Sequence, residues 1–195
     1  LIQILLELRS IGVKNEKILK AIEKMPPHFY YSLFNADVGI KKININEVLE
    51  IAKLLELSLQ AKCKYENVLL FGVKYGWLLI LLTNFCKRVY GISNSLMYKK
   101  KLEGFFKKND YKNIYLCYGN DILSWNKVAP FDLIFIFNIS GFSTKEVTKQ
   151  LSNKGRAFLP SKEQVHNVNV ISINNKNFKF NQDCNFKLLN RSELI

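Results

Sequence analysis

The stretch VLLFGVKYGW, residues 68–77, holds the residue types best suited to holding a small ligand. The apolar run NVLLF predicts a buried strand, Gly72 and Gly76 a turn that lets backbone approach a ligand, and GWLLILLTNF a helix. Strand, glycine turn and helix in that order is how many α/β domains cradle a nucleotide-like molecule. Lys74 stands between the two glycines, and no carboxylate lies near the loop. Asn138 closes the apolar run FDLIFIF, at the carboxyl edge where open sheets bind ligands, and is a candidate for lining the pocket. Asp132 opens the same run, where a carboxylate either approaches a ligand or sets a turn. His28, in PPHF, reads as a structural or surface residue, with a general base as the alternative. His166 has no acidic or serine partner nearby in sequence and reads as surface. Cys63, Cys86, Cys117 and Cys184 are widely spaced, with no CxxC pair. That spacing argues against zinc and against a disulfide framework, and predicts reduced thiols in a cytoplasmic protein.

The elements that must position these residues follow from the apolar pattern. Ile4, Leu5 and Leu8 share a helical face that Gly12 ends, and Asn15 caps a second helix, EKILKAIEKM, that stops at Pro26-Pro27. Residues 28–44 read as irregular, and INEVLEIAKLLEL has helical spacing. Strands and helices then alternate: NVLLF, GWLLILLTNF, RVYGI, SLMYKKKLEGFFKKN, NIYLCY, FDLIFIF, STKEVTKQL and RAFLP. Short continuous apolar runs separated by helices predict an α/β fold with a doubly wound, mostly parallel sheet. The tail changes character. VHNVNVISI alternates apolar and polar residues, and FKLLN follows turns at NNKN and NQDCN, which predicts an antiparallel hairpin at a sheet edge. The expected organisation is one domain over 1–195. It comprises a helical extension over 1–60, an α/β core over 61–160 and hairpin strands over 161–195.

With 195 residues, 48% of them hydrophobic, the chain is long enough to bury a core. Its longest apolar run near the loop, Trp77 to Leu82, is far short of a membrane span, so no membrane partner is expected. The net charge of +13 raises nucleic acid or an acidic protein as partners. The lysines are dispersed among Asn and Ile, however, and the run at 99–101 with Lys107 and Lys108 reads as a solvated helix face without interleaved exposed aromatics. Trp77 and at least one of Phe105 and Phe106 are expected in the core.

Taken together, these segments resemble the protein-L-isoaspartate O-methyltransferases, a family with the Rossmann-like class I methyltransferase fold. LRSIGVKNEKILKAIEKMPPHFY is similar to that family's opening, VLLFGVKYGW to its V-L-E-I-G-T-G-S-G-Y and RVYGIS to its R-V-Y-S-I-E. YGNDILSW, APFDLIFI and LSNKGRAFLP likewise resemble its V-G-D-G-x-x-G-W, A-P-Y-D-x-I-x-V and L-x-x-G-G-R-L-x-x-P segments. The resemblance implies S-adenosylmethionine as cofactor and damaged protein or peptide carrying L-isoaspartate as substrate. It places cofactor contacts at Gly72, Gly76, Ser93, Asn120, Asp121 and Asn138.

The departures fall on those contacts. Lys74 replaces the middle glycine, Leu70 the acidic residue before the loop, and Ser93 the carboxylate that takes the two ribose hydroxyls. Asn120 replaces the aspartate of G-D-G, with Asp121 displaced by one position. In the substrate segment, GIKKINI at 39–45 keeps only Gly39, and the family's serine falls on Ile43, which cannot donate to a carboxylate. Lys41 and Lys42 attract a carboxylate without fixing it. No catalytic residue is therefore assigned, and none to a metal. At about 1.5–3 kcal/mol for each hydrogen bond to a charged group, two lost carboxylate contacts weaken cofactor binding by roughly two to four decades. The expectation is an impaired or inactive relative with weak or lost cofactor binding. An active repair enzyme with an atypical site is the first alternative, and a basic RNA- or protein-binding module on the same fold the second.

Overall fold

A computed structural model describes residues 1–33, 44–59, 64–73, 76–137, 140–160, 168–174 and 177–184. Four helices come first: α1 (Ile2–Ser10), α2 (Glu16–Lys24), α3 (Pro27–Leu33) and α4 (Ile45–Ser58). The expected cap at Asn15 is in place, its side chain accepting from the Lys17 amide. Asn44 and Glu47 add a reciprocal capping box that starts α4. One expectation fails here. Residues 28–33 are helical, because Pro27 sits at the first helical position, where its missing N–H breaks no bond.

The core then runs β1 (Tyr65–Phe71), α5 (Gly76–Leu82), β2 (Cys86–Ser93), α6 (Leu96–Lys108), β3 (Ile114–Tyr118), a 3-10 segment (Ile122–Val128), β4 (Phe131–Ile136), α7 (Thr144–Gln150) and β5 (Leu151–Pro160). Two further strands, β6 (Val168–Asn174) and β7 (Asn177–Cys184), complete one sheet in the order β3-β2-β1-β4-β5-β6-β7. β1 to β5 pair in parallel, and β6 and β7 pair antiparallel, as the tail's alternation predicts. The register of the tail differs from expectation. NQDC is not a turn but the second half of β7, which pairs back as far as Val168 with Cys184. FKLLN lies outside the described residues.

Apolar side chains cover both sheet faces. On one side α4, α5, α6 and the N-terminal helices enclose Leu55, Val68, Leu70, Trp77, Leu102 and Phe135. On the other, the 3-10 segment and α7 close over Leu69, Phe71, Tyr90, Phe131, Ile134 and Val147. That double cover is why these strands read as unbroken apolar runs. The C-terminal carbonyls of α4 are not left bare: Arg156 on β5 donates to those of Leu57 and Ser58, and the Tyr65 hydroxyl donates to Ser58 at 2.8 Å. No helix among the described residues is long and apolar enough to cross a membrane.

Candidate functional site

Parallel strands with crossover helices bring their carboxyl ends to one edge, and that edge holds most of the predicted residues. Gly72, directly after β1, has φ +83°, a left-handed conformation that side chains rarely adopt. Its amide and that of Val73 both donate to the Ile92 carbonyl, at 3.1 and 3.0 Å, so the loop folds back over the end of β2. Lys74 lies outside the described residues.

Gly76, in contrast, is needed for packing. A β-carbon there would overlap Leu102 and lie 2.5 Å from the Tyr30 hydroxyl, so the glycine lets α5 seat against α6 and α3. Its amide donates to the Tyr98 hydroxyl at 2.9 Å. The next residue, Trp77, is fully buried, and its indole N–H donates to the Met25 carbonyl at 2.7 Å. The first turn of α5 is thereby tied to α6 and to the N-terminal helices at once. Burial holds the phenol of Tyr30 well above the ordinary range and raises that of Tyr98. The Gly76 amide and then Tyr30 offset part of that rise for Tyr98, while Tyr98 adds to it for Tyr30.

Ser93 ends β2 with no exposed surface. Its hydroxyl donates to the Ser95 carbonyl at 3.1 Å and accepts from the Ser95 amide at 3.3 Å, a local turn that hands the chain to α6, which Ser95 then caps. The Ser93 carbonyl accepts from Gly119, bringing the loop after β3 alongside. Asn120 is exposed at this edge. Asp121, also exposed, is engaged by its own turn: its carboxylate accepts from the Leu123 amide at 2.8 Å and starts the 3-10 segment. Gly141, at φ +79°, abuts the Asn120 carbonyl so closely that a β-carbon would overlap it, and its own carbonyl accepts from Ile122 at 3.0 Å. The loops after β3 and β4 are thus joined. Asn138 lies outside the described residues.

Gly72, Ser93 and Asn120 therefore meet at one edge, whereas Gly76 faces the core and Asp121 serves as a cap. Among the described residues of these loops there is no histidine, and the only carboxylate, Asp121, is committed to backbone. Tyr98, Tyr30 and Gly141 carried no sequence signal. Their roles follow from contacts between segments far apart in the chain.

The remaining candidates resolve into structure. Asp132 sits at the opposite, amino-terminal edge, where its carboxylate accepts from the Glu66 amide at 2.8 Å and the Ser152 hydroxyl at 2.9 Å. His28 is exposed on α3, and His166, Gly39, Lys41, Lys42 and Ile43 lie outside the described residues. Phe105 and Phe106 are both buried, and Lys99 pairs with Glu103 at 2.7 Å on the solvent side of α6. Cys86 is buried; desolvation pushes its thiol far above the ordinary range, Asp132 adds to this, and Lys64 opposes it. Burial also raises the Cys117 thiol, with Ser124 and Lys99 working against the rise. No group of three or more His, Cys, Asp or Glu side chains gathers among the described residues.

Comparison with known proteins agrees with this architecture. The family model described as protein-L-isoaspartate(D-aspartate) O-methyltransferase matches residues 2–188. A curated relative from Dictyoglomus turgidum, a protein-L-isoaspartate O-methyltransferase, is 26% identical over 160 residues, spanning 78% of this chain and 72% of its own. Another of the same name from Colwellia psychrerythraea is 23% identical, over 85% and 80% of the two chains. A solved protein-L-isoaspartate O-methyltransferase superposes with TM-score 0.69 at 14% identity, covering 96% of this chain and 65% of that one. The structure of a Plasmodium falciparum protein of that description, in complex with S-adenosyl-L-homocysteine, gives TM-score 0.65 at 12% identity over 96% and 95%.

Proposed function

The chain belongs to the protein-L-isoaspartate O-methyltransferase family, and from that premise we propose that it keeps the family's fold around a cofactor site whose affinity is weakened or lost. The observation that carries this reading is the end of β2. A carboxylate there would hold two ribose hydroxyls; in its place stands Ser93, with no exposed surface and its hydroxyl engaged on both sides by the Ser95 backbone. A hydroxyl already donating and accepting within its own turn has little left to offer an incoming ribose. Asp121 is likewise engaged by Leu123, and the Gly76 amide by Tyr98. The residues present therefore do not fit S-adenosylmethionine in the family's manner, and no methyl-transfer step is derived for them.

The family acts on damaged protein, so the substrate class to test is an isoaspartyl peptide. The experiment is methyl transfer from labelled S-adenosylmethionine to such a peptide, beside an active family member at equal concentration. A rate lower by about two to four decades fits the lost contacts. A rate within tenfold of the active enzyme contradicts the reading. One observation favours an active enzyme with an atypical site instead: the left-handed turn at Gly72 is intact, so the backbone that approaches the ligand is still shaped for it. That alternative predicts turnover at ordinary cofactor concentration.

A further inference from the structure

The glycine loop is fastened from an unexpected side. The first amide of a helix has no intrahelical acceptor and must find one elsewhere, from a cap, water or a ligand. Here Gly76 finds it in a side chain of another helix, Tyr98, three positions past the Ser95 cap of α6. Behind this contact stands Tyr30 from α3, fully buried, its hydroxyl against Gly76 and interacting with Tyr98. The lack of a side chain at Gly76 is what admits both phenols; any β-carbon would collide with Leu102 and crowd the Tyr30 hydroxyl. The Trp77 indole, bound to the Met25 carbonyl, makes a second tie from the same turn to the same N-terminal region.

We propose that Tyr98, backed by Tyr30, is a positioning residue for the cofactor loop: its hydroxyl holds the first amide of α5 and couples the loop to the N-terminal helices. The family reading supplies what the loop is for; the coupling itself stands on the contacts. The N-terminal helices therefore belong to the loop's folding unit, and a change at Tyr30 or Tyr98 reaches the loop although neither residue lies in it.

The test is amide exchange by nuclear magnetic resonance on the full chain and on Tyr98→Phe, Tyr30→Phe and Tyr111→Phe. Tyr111 packs against Phe105 and Phe106 in the same core, away from the loop, and serves as control. Tyr98→Phe is expected to speed exchange at Gly76 by about tenfold, the loss of roughly one hydrogen bond, and Tyr30→Phe by a smaller factor. Leu133, in the central strand β4, exchanges at the parent rate in each. A merely structural role for Tyr98 would instead raise exchange at Gly76 and Leu133 together. Unchanged exchange at Gly76 in Tyr98→Phe overturns the proposal, as does a response to Tyr111→Phe equal to that of Tyr98→Phe. Should Tyr98→Phe fail to fold, Tyr30→Phe with Gly76 exchange at the parent rate overturns it as well. Titration with S-adenosylhomocysteine separates this claim from the preceding one. Micromolar binding by the parent contradicts the weakened site but not the tie, which then requires Tyr98→Phe to bind at least about fivefold more weakly. With the parent binding in that range, equal affinity of the two proteins overturns the tie.

Discussion

At Gly76 the sequence and the structure agree on the residue and disagree on the reason. The glycine was legible as part of a ligand loop, yet its hydrogen atom faces Leu102 and Tyr30 rather than a ligand. Gly76→Ala should therefore lower stability by about 1–3 kcal/mol through overpacking, read as a shift in the urea midpoint at unchanged slope. Gly72 has the left-handed φ that the sequence leads one to expect of the turn after β1. Ser93 and Asp121 illustrate what a sequence conceals. Their identities announce a departure from the family, but only the folded chain reveals that each polar group is engaged by backbone two residues on. The thiols give a second check at this scale. Burial raises Cys86 and keeps it in its unreactive protonated form, so peptide mapping after brief alkylation near neutral pH should find Cys86 unmodified in the native protein and modified in denaturant. Native-state modification comparable to the denatured control would contradict the packing of β2.

Elements were readable wherever a local rule acted. Asn15, Asn44, Ser95 and Ser143 each cap the helix that follows, and the apolar runs became β1, β2, β3 and β4. Elements were misread where tertiary contacts or longer pairing decided. α2 does stop before Pro26-Pro27, but α3 then forms over residues expected to be irregular, and β7 runs through NQDC because pairing with β6 continues there. The junction of α4 with β5 is another contact invisible in sequence. Arg156 reaches the last carbonyls of α4 across roughly half the chain, a charged donor at the negative end of the helix dipole. Replacing it by alanine strands the Leu57 carbonyl, leaves that of Ser58 to Tyr65 alone, and should cost about 2–3 kcal/mol in equilibrium unfolding. Lysine, which lacks the two-pronged head, should recover less than half of that. A wild-type midpoint in Arg156→Ala would show that water replaces the arginine freely.

Across the whole molecule, one fully buried phenol and one partly buried phenol join three helices, and that has a consequence for alkaline stability. In the unfolded chain a tyrosine ionises near pH 10; in the folded protein Tyr30 and Tyr98 are held protonated to higher pH, chiefly by burial. The folded state then retains protons the unfolded state releases, so the stabilisation is complete below about pH 10 and declines as pH rises beyond it. Each phenol contributes at most about 1.4 kcal/mol per pH unit to that decline, and Tyr98→Phe should make the curve shallower by up to this amount between pH 10 and 11. Parallel curves for parent and variant would place Tyr98 in water. A seven-stranded sheet of the protein-L-isoaspartate O-methyltransferase family is retained, while the Ser93 and Asp121 side chains at its carboxyl edge are engaged by neighbouring backbone. The most direct test is titration calorimetry of the unmodified chain with S-adenosylmethionine and S-adenosylhomocysteine. The expected result is no measurable heat below about millimolar ligand, the affinity left after losing roughly two to four decades. Micromolar binding of either ligand would contradict it.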